Sequence, residues 1–251
     1  MQPRALTILT GASRGLGRAM AEQLLAPHAL LLTMSRRPRA ELTARASSSG
    51  AALEQWSIDL SDGAAAAARL EQWLSECNGP FASAHLINNA ALAGTPRLLA
   101  DSESGSLAAV LRVGLEAPLL LSGAFLRATR DWNIPRKILN ISSGAGRKPL
   151  PGATAYCAVK AGLDHMSRGI AAEEALIPNG AKVVSLAPGV IDTDMQTELR
   201  DANPHDFPPQ PHFADMKLTG QLASPNAAAR RVLGYLNRAD FGSNPVADVR
   251  D

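Results

Sequence analysis

Tyr156 and Lys160 lie four residues apart in the run Ala155-Tyr156-Cys157-Ala158-Val159-Lys160. On a helix that spacing puts both on one face, about 5.4 Å apart along the axis. A free tyrosine ionises near pH 10 and is a sluggish proton donor at neutral pH. A neighbouring ammonium favours the phenolate and pulls the pKa toward the working range. Such a phenol can give a proton to, or take one from, the oxygen of a carbonyl or an alcohol. Ser143, thirteen positions upstream, offers a hydroxyl that can hold the same oxygen where charge develops. Alone, the Tyr–Lys pair also fits an ordinary surface helix face, so the surrounding chain has to decide.

A glycine-rich turn, Thr10-Gly11-Ala12-Ser13-Arg14-Gly15-Leu16-Gly17, joins the first strand-like segment to the first helical one. In such a turn Gly11 permits a tight bend, Gly15 lets backbone approach a pyrophosphate, and Gly17 lets helix and strand pack closely. With Ser13, Arg14 and Leu16 between them, the helix N-terminus offers N–H groups and a positive dipole end. The turn therefore points to a dinucleotide, the bland alternative being a plain glycine bend. Sites selective for NAD place a carboxylate at the end of the second strand, against the ribose 2′-hydroxyl. Here that stretch reads Thr33-Met34-Ser35-Arg36-Arg37 and has no acid. Guanidinium groups bind a 2′-phosphate that a carboxylate would repel, and Arg14 can reach the same phosphate. The expected cofactor is NADP(H), the alternative being arginines that merely solvate a loop.

Apolar strand-like runs alternate with helical patterns, which predicts parallel βαβ units in an α/β, doubly wound Rossmann-type sheet of about seven strands with helices on both faces. Strands are expected at Ala5–Thr10, Ala29–Met34, within Ala51–Asp59, and at Ala84–Ile87, Lys137–Ile141 and Lys182–Leu186, with a last one after Phe241. Helices are expected over Gly15–Ala26, Ser104–Arg130, around Tyr156 to Leu176, and over Asn226–Arg238. The Pro-rich stretch Asn203–His212 is expected to be an irregular excursion. Neither repeats nor linkers divide residues 1–251, so one domain is expected.

The 251 residues are 46% hydrophobic and 19% charged, with a formal net charge of +2. That balance is ordinary for a globular enzyme and lacks the basic block that nucleic acid or a membrane surface would require. No apolar run reaches about 18 residues, so no membrane span is expected. The opening Met1-Gln2-Pro3-Arg4 lacks a signal-peptide pattern. Cys77 and Cys157 fit a reducing cytoplasm as small fillers, and the five histidines show no metal-ligand spacing.

Taken together, six segments resemble the short-chain dehydrogenase/reductase family over nearly the whole chain. They are Thr10–Gly17, Asp59-Leu60, Asn88–Ala91, Asn140–Ser143, Tyr156–Lys160 and Ala187–Thr193. The resemblance implies that Asp59 and Leu60 border the adenine and that Asn88 and Ala90 line the cofactor. It implies that Pro188, Val190 and Thr193 flank the nicotinamide. Hydride would pass from NADPH to a small-molecule carbonyl while Tyr156 supplies the proton and Ser143 positions the oxygen. Lys160 would lower the Tyr156 pKa and bind the ribose. Within the family the chain is most similar to sepiapterin reductase and bacterial diketone (benzil-type) reductases. The tail Phe241–Asp248 resembles the pterin reductases, where an aspartate matching Asp248 grips the pterin edge; a solvated terminal Asp is the alternative. The resemblance also implies a substrate lid over about residues 190–216, carrying Phe207 and Phe213. It further implies a homodimer or homotetramer through the two long helices.

One departure stands out. The family's usual Asn in the long helix, which helps hold a water for proton resupply to the lysine, is Gly114 here, in Val113-Gly114-Leu115. Glycine inside a helix costs about 1 kcal/mol relative to alanine, so a local kink is expected there. Two further readings stay open: a non-catalytic NADP(H)-binding regulator, and an alcohol dehydrogenase working oxidatively.

Overall fold

The computed structural model describes residues 4–77 and 80–251. The leader expectation rests partly on residues 1–3, which lie outside the described ones. Seven parallel strands form one sheet: β1 (Arg4–Thr10), β2 (Ala29–Ser35), β3 (Ala52–Ser57), β4 (Phe81–Asn88), β5 (Arg136–Ile141), β6 (Lys182–Ala187) and β7 (Val246–Asp248). Their order is β3-β2-β1-β4-β5-β6-β7. The chain winds outward from β1 in one direction and from β4 in the other. The loops after β1 and β4 therefore diverge at the strands' C-terminal ends, where open parallel sheets hold their ligands.

Strand residues alternate between two cores. Leu6, Ile8, Leu32 and Met34 point to one face, which α3 (Gly63–Glu76) and α5 (Ala117–Ala128) cover through Leu70, Leu74, Leu121 and Phe125. Leu9 and Leu31 point to the other, where α1 (Gly15–Leu24), α2 (Ala40–Ser49) and α9 (Pro225–Leu236) supply Met20, Leu42 and Val232. Burial on both faces explains why these strands read as near-continuous apolar runs.

The helices carry their own punctuation. Asp62 caps α3 by accepting from the Ala65 amide at 3.0 Å. Ser224 caps α9 just before Pro225, a residue preorganised for a first helical turn. Gly50, at φ +72°, ends α2. Neither α2 nor α3 stood out in the sequence.

The long apolar helix expected over Ser104–Arg130 runs as α4 (Ser104–Leu111), a π-helical turn Arg112–Glu116, and α5. The kink expected at Gly114 takes the form of this π turn. A Cβ on Gly114 would stand 2.6 Å from Val159 Cγ1, on the neighbouring helix α6 (Thr154–Glu174). Contrary to the expectation from apolar run length, Ser104–Ala128 is long and apolar enough to span a membrane; half of its most apolar window is buried inside this protein. Its apolar side belongs to the core between α3 and the sheet.

The Pro-rich excursion is more regular than expected. It enters from α7 (Asp194–Arg200) and passes directly into α8 (Gln210–Leu218). Phe207 is fully buried and packs against Phe213, ring centres 5.4 Å apart and planes tilted at 46°, so it anchors the segment.

Candidate active site

A cleft of about 650 Å³ opens over the C-terminal ends of the strands. The loops after β1 and β4 are locked together beneath it. Thr10 Oγ1 accepts from the Asn89 and Ala90 amides at 2.9 and 3.0 Å. Asn89 returns two bonds from Nδ2, to the carbonyls of Thr10 and Gly11. Gly17 is packed so tightly here that a Cβ would fall 2.1 Å from the Gly11 oxygen; no other residue fits. Gly15 has φ +54° and faces Thr193 across the cleft.

All of Gly11, Ser13, Arg14, Gly15, Leu16 and Gly17 line the cleft. Arg14 reaches across to Asp194, at the start of α7, at 3.4 Å. No side chain caps the N-terminus of α1, so its first-turn amides are open to an anion. Ser35 and Arg36 line the far end with Asp59 and Leu60. The Ser61 amide donates to Asp59 at 2.9 Å and, above all other influences, holds its carboxyl below the usual range. At the opposite end Pro188, Val190 and Thr193 form one wall.

Two expected cofactor residues are placed elsewhere. Asn88, the last residue of β4, turns its side chain into the protein and donates to Asn140 at 2.8 Å and Ser122 at 3.3 Å. Because strand side chains alternate faces, the cleft receives Asn89 and Ala90 instead. Arg37 does not line the cleft either; its carbonyl accepts from the Ser35 hydroxyl at 3.1 Å.

Ser143, Tyr156 and Lys160 converge on the middle of the cleft. Ser143 follows β5, and its hydroxyl accepts from the Ala145 amide at 3.2 Å. Tyr156 and Lys160 share one face of α6, with the ammonium 5.4 Å from the centre of the phenol ring. Lys160 is buried and donates to the Ile141 carbonyl at 2.8 Å. Burial lowers its pKa to about 8, with the nearby Asp164 carboxylate acting in the opposite direction.

For Tyr156 the balance differs from the sequence expectation. Burial raises the phenol above its ordinary pKa, and the polar contact with Ser143 only partly opposes it. Desolvation dominates because the cleft wall strips water from the phenol.

Helix α6 is held by a buried polar network that sequence reasoning missed. Asp164 accepts from Ser142 at 2.6 Å and from Ser185 at 2.7 Å, and lies 3.5 Å from Arg147. Asn140 donates to Ser167 at 2.8 Å. These bonds tie α6 to β5 and β6 and so set the height of Tyr156 and Lys160 over the strand ends. The signal for Asp164 was its spacing, one turn beyond Lys160 on the same face.

Asp248, on β7, lines the cleft and is buried rather than solvated. Arg250 holds it bidentately, at 2.7 and 2.6 Å. From the α7–α8 segment Met195, Gln196, His212, Phe213 and Met216 close the far side. Among the described residues no group of three His, Cys, Asp or Glu side chains is placed to hold a metal ion.

The short chain dehydrogenase family profile matches residues 5–204. The chain belongs to the short-chain dehydrogenase family. Its members are oxidoreductases that bind nicotinamide cofactors, and the uncapped α1 turn, the Gly17 contact and the cleft behind them fit such a group. The chain is 34% identical to a benzil reductase ((S)-benzoin forming) of Bacillus cereus, over 96% of this chain and 98% of that one. It is 31% identical to a sepiapterin reductase of Mus musculus, over 98% and 97%. The crystal structure of a short-chain dehydrogenase/reductase from Burkholderia vietnamiensis superimposes with TM-score 0.67 at 32% identity, over 100% of this chain and 99% of that one. The glycine turn and the Ser–Tyr–Lys set of this short-chain dehydrogenase lie within residues 5–204, and β7 lies beyond them.

Proposed function

We propose that this short-chain dehydrogenase is an NADPH-dependent reductase of small-molecule carbonyls, of the diketone or pterin side-chain type. The convergence of Ser143, Tyr156 and Lys160 on a cleft entered by the glycine turn carries this reading. The nicotinamide supplies hydride to the carbonyl carbon when it is bound. Tyr156 then gives its proton to the carbonyl oxygen, and its raised pKa keeps that proton in place until it is needed. The Ser143 hydroxyl donates to the same oxygen and fixes its position. Lys160 stabilises the phenolate left behind, because an ammonium near the ring acts through a water-poor wall. It also holds the ribose.

The 2′-phosphate reading rests on Ser35 and Arg36 at the end of β2, with no carboxylate beside them in that loop. Arg36 should contribute a charge-assisted bond, and R36A should raise the KM for NADPH about tenfold or more while leaving that for NADH nearly unchanged. Equal use of NADH and NADPH by the parent protein contradicts the assignment. The α7–α8 segment is proposed as the substrate lid. Phe207 is its fixed point, and Phe213 supplies the apolar surface over the substrate. Leu111 and Leu119 stay exposed on the long helix, which supports a homodimer or homotetramer through it. The reading as a whole is tested by incubating the purified protein with NADPH and benzil. Formation of the hydroxyketone with matching NADPH loss supports it, and cofactor binding without turnover on diketones and pterins alike contradicts it.

A further inference from the structure

Asp248 is a buried carboxylate facing the cleft, and both of its oxygens are already taken. Arg250 Nε donates to one at 2.7 Å and a terminal nitrogen donates to the other at 2.6 Å. The Arg250 amide adds a third bond at 3.0 Å. A fork of two parallel N–H groups on a carboxylate is the arrangement that an amidine, a guanidine or the 2-amino-4-oxo edge of a pterin would need. Arg250 thus presents, from inside the chain, the same donor pattern as such a ligand. The two cannot occupy Asp248 together.

The rest of the surroundings makes Arg250 the removable partner. Its side chain is 69% exposed, whereas that of Asp248 is 10% exposed. Arg147 lies 4.0 Å from Asp248, yet it is committed elsewhere, donating to the Ala247 carbonyl at 2.8 Å and pairing with Asp164 at 3.5 Å. Taking Arg250 away would leave a cleft-facing carboxylate with one constrained cation and two free acceptor positions.

From this arrangement we infer that Arg250 is a specificity-determining residue, a tethered guanidinium that closes Asp248 to ligands carrying a paired N–H edge. The inference rests on the carbonyl-reductase reading for its ligand class. Within that class it separates two kinds of substrate. Diketones have no donor edge and ignore the pair; pterins must displace it. Parent protein is therefore expected to disfavour pterins, and loss of Arg250 is expected to admit them.

The test measures binding rather than turnover. Biopterin fluorescence is titrated with the purified parent protein, R250A, and R250A/D248N, each with NADP⁺ present. R250A should bind biopterin about tenfold tighter than the parent, the factor expected when one bidentate charged pair no longer competes. Millimolar guanidinium ion should reverse that gain by refilling Asp248, a response that a general loosening of the tail would not give. The gain should vanish in R250A/D248N. Unchanged affinity in R250A, or a gain that survives D248N, overturns the inference. Failure of the parent protein to reduce benzil would instead strike the proposed function, and the affinity ratio would still report on Arg250.

Discussion

At the scale of single residues, the proposed role of Lys160 predicts a pH dependence. Burial depresses its pKa to about 8, so its charge is complete below that value and lost as the pH rises through it. If the ammonium supports Tyr156, kcat/KM for NADPH should fall above about pH 8. Replacing Asp164 with Asn removes the carboxylate that opposes this depression, while its remaining oxygen can still accept from Ser142 and Ser185. D164N should therefore move the falling limb to lower pH. A flat profile between pH 7 and 9, or a limb that moves upward, would count against Lys160. The Tyr–Lys spacing was legible because helical periodicity fixes it. The net direction of the Tyr156 shift was not, because burial depends on what the cleft wall contributes from distant segments.

At the scale of elements, the π turn at Gly114 and the face of α6 fit each other. A Cβ on Gly114 would meet Val159 at 2.6 Å, so the larger residue typical of the family has no room here. G114A should destabilise the protein by roughly 1–3 kcal/mol through overpacking. V159A in the same protein should recover part of that loss, since contacting residues couple. Chemical denaturation of both single variants and the double variant measures the coupling, and strict additivity would show that Gly114 does not need Val159's space. The sequence disclosed the glycine, but the valine that fills its place became visible only with α6 in position. Likewise the resemblance named Asn88 for the cofactor, and only the alternation of β4 showed that it turns inward while Asn89 reaches the cleft. Helices α2 and α3 escaped notice because their alanine- and serine-rich runs, Ala40–Ser49 and Gly63–Glu76, carry few large apolar residues to mark a stripe.

At the scale of the whole molecule, the sheet brings together loops far apart in sequence, and a histidine in it should make stability sensitive to acid. His85 on β4 pairs in register with Lys137 on β5. Burial first, and the Lys137 charge second, lower its pKa to about 4. The unfolded chain takes up a proton near pH 6.5 that the folded chain refuses until about pH 4. Stability is therefore lost as the pH falls through that window. H85Q should flatten the fall in urea midpoint between pH 6.5 and 4, and an unchanged slope would assign the fall to other groups. The parallel, doubly wound sheet of about seven strands was legible in the alternation of apolar runs with helical ones; its strand order came only with the structure. The Arg147–Asp164 pairing was not legible, because it depends on how the segment after β5 meets α6, nor was Arg250–Asp248, which depends on the turn the chain makes after β7.

The most direct measurement concerns the proton on Tyr156. Single-turnover reduction of benzil by NADPH should be followed in the parent protein and in Y156F, with NADPH affinity determined for each. Removing the phenolic hydroxyl should slow turnover by about 10²–10⁴-fold, the range supplied by a positioned acid, while NADPH still binds within a few-fold of the parent. Reduction by Y156F at close to the parent rate would contradict the account.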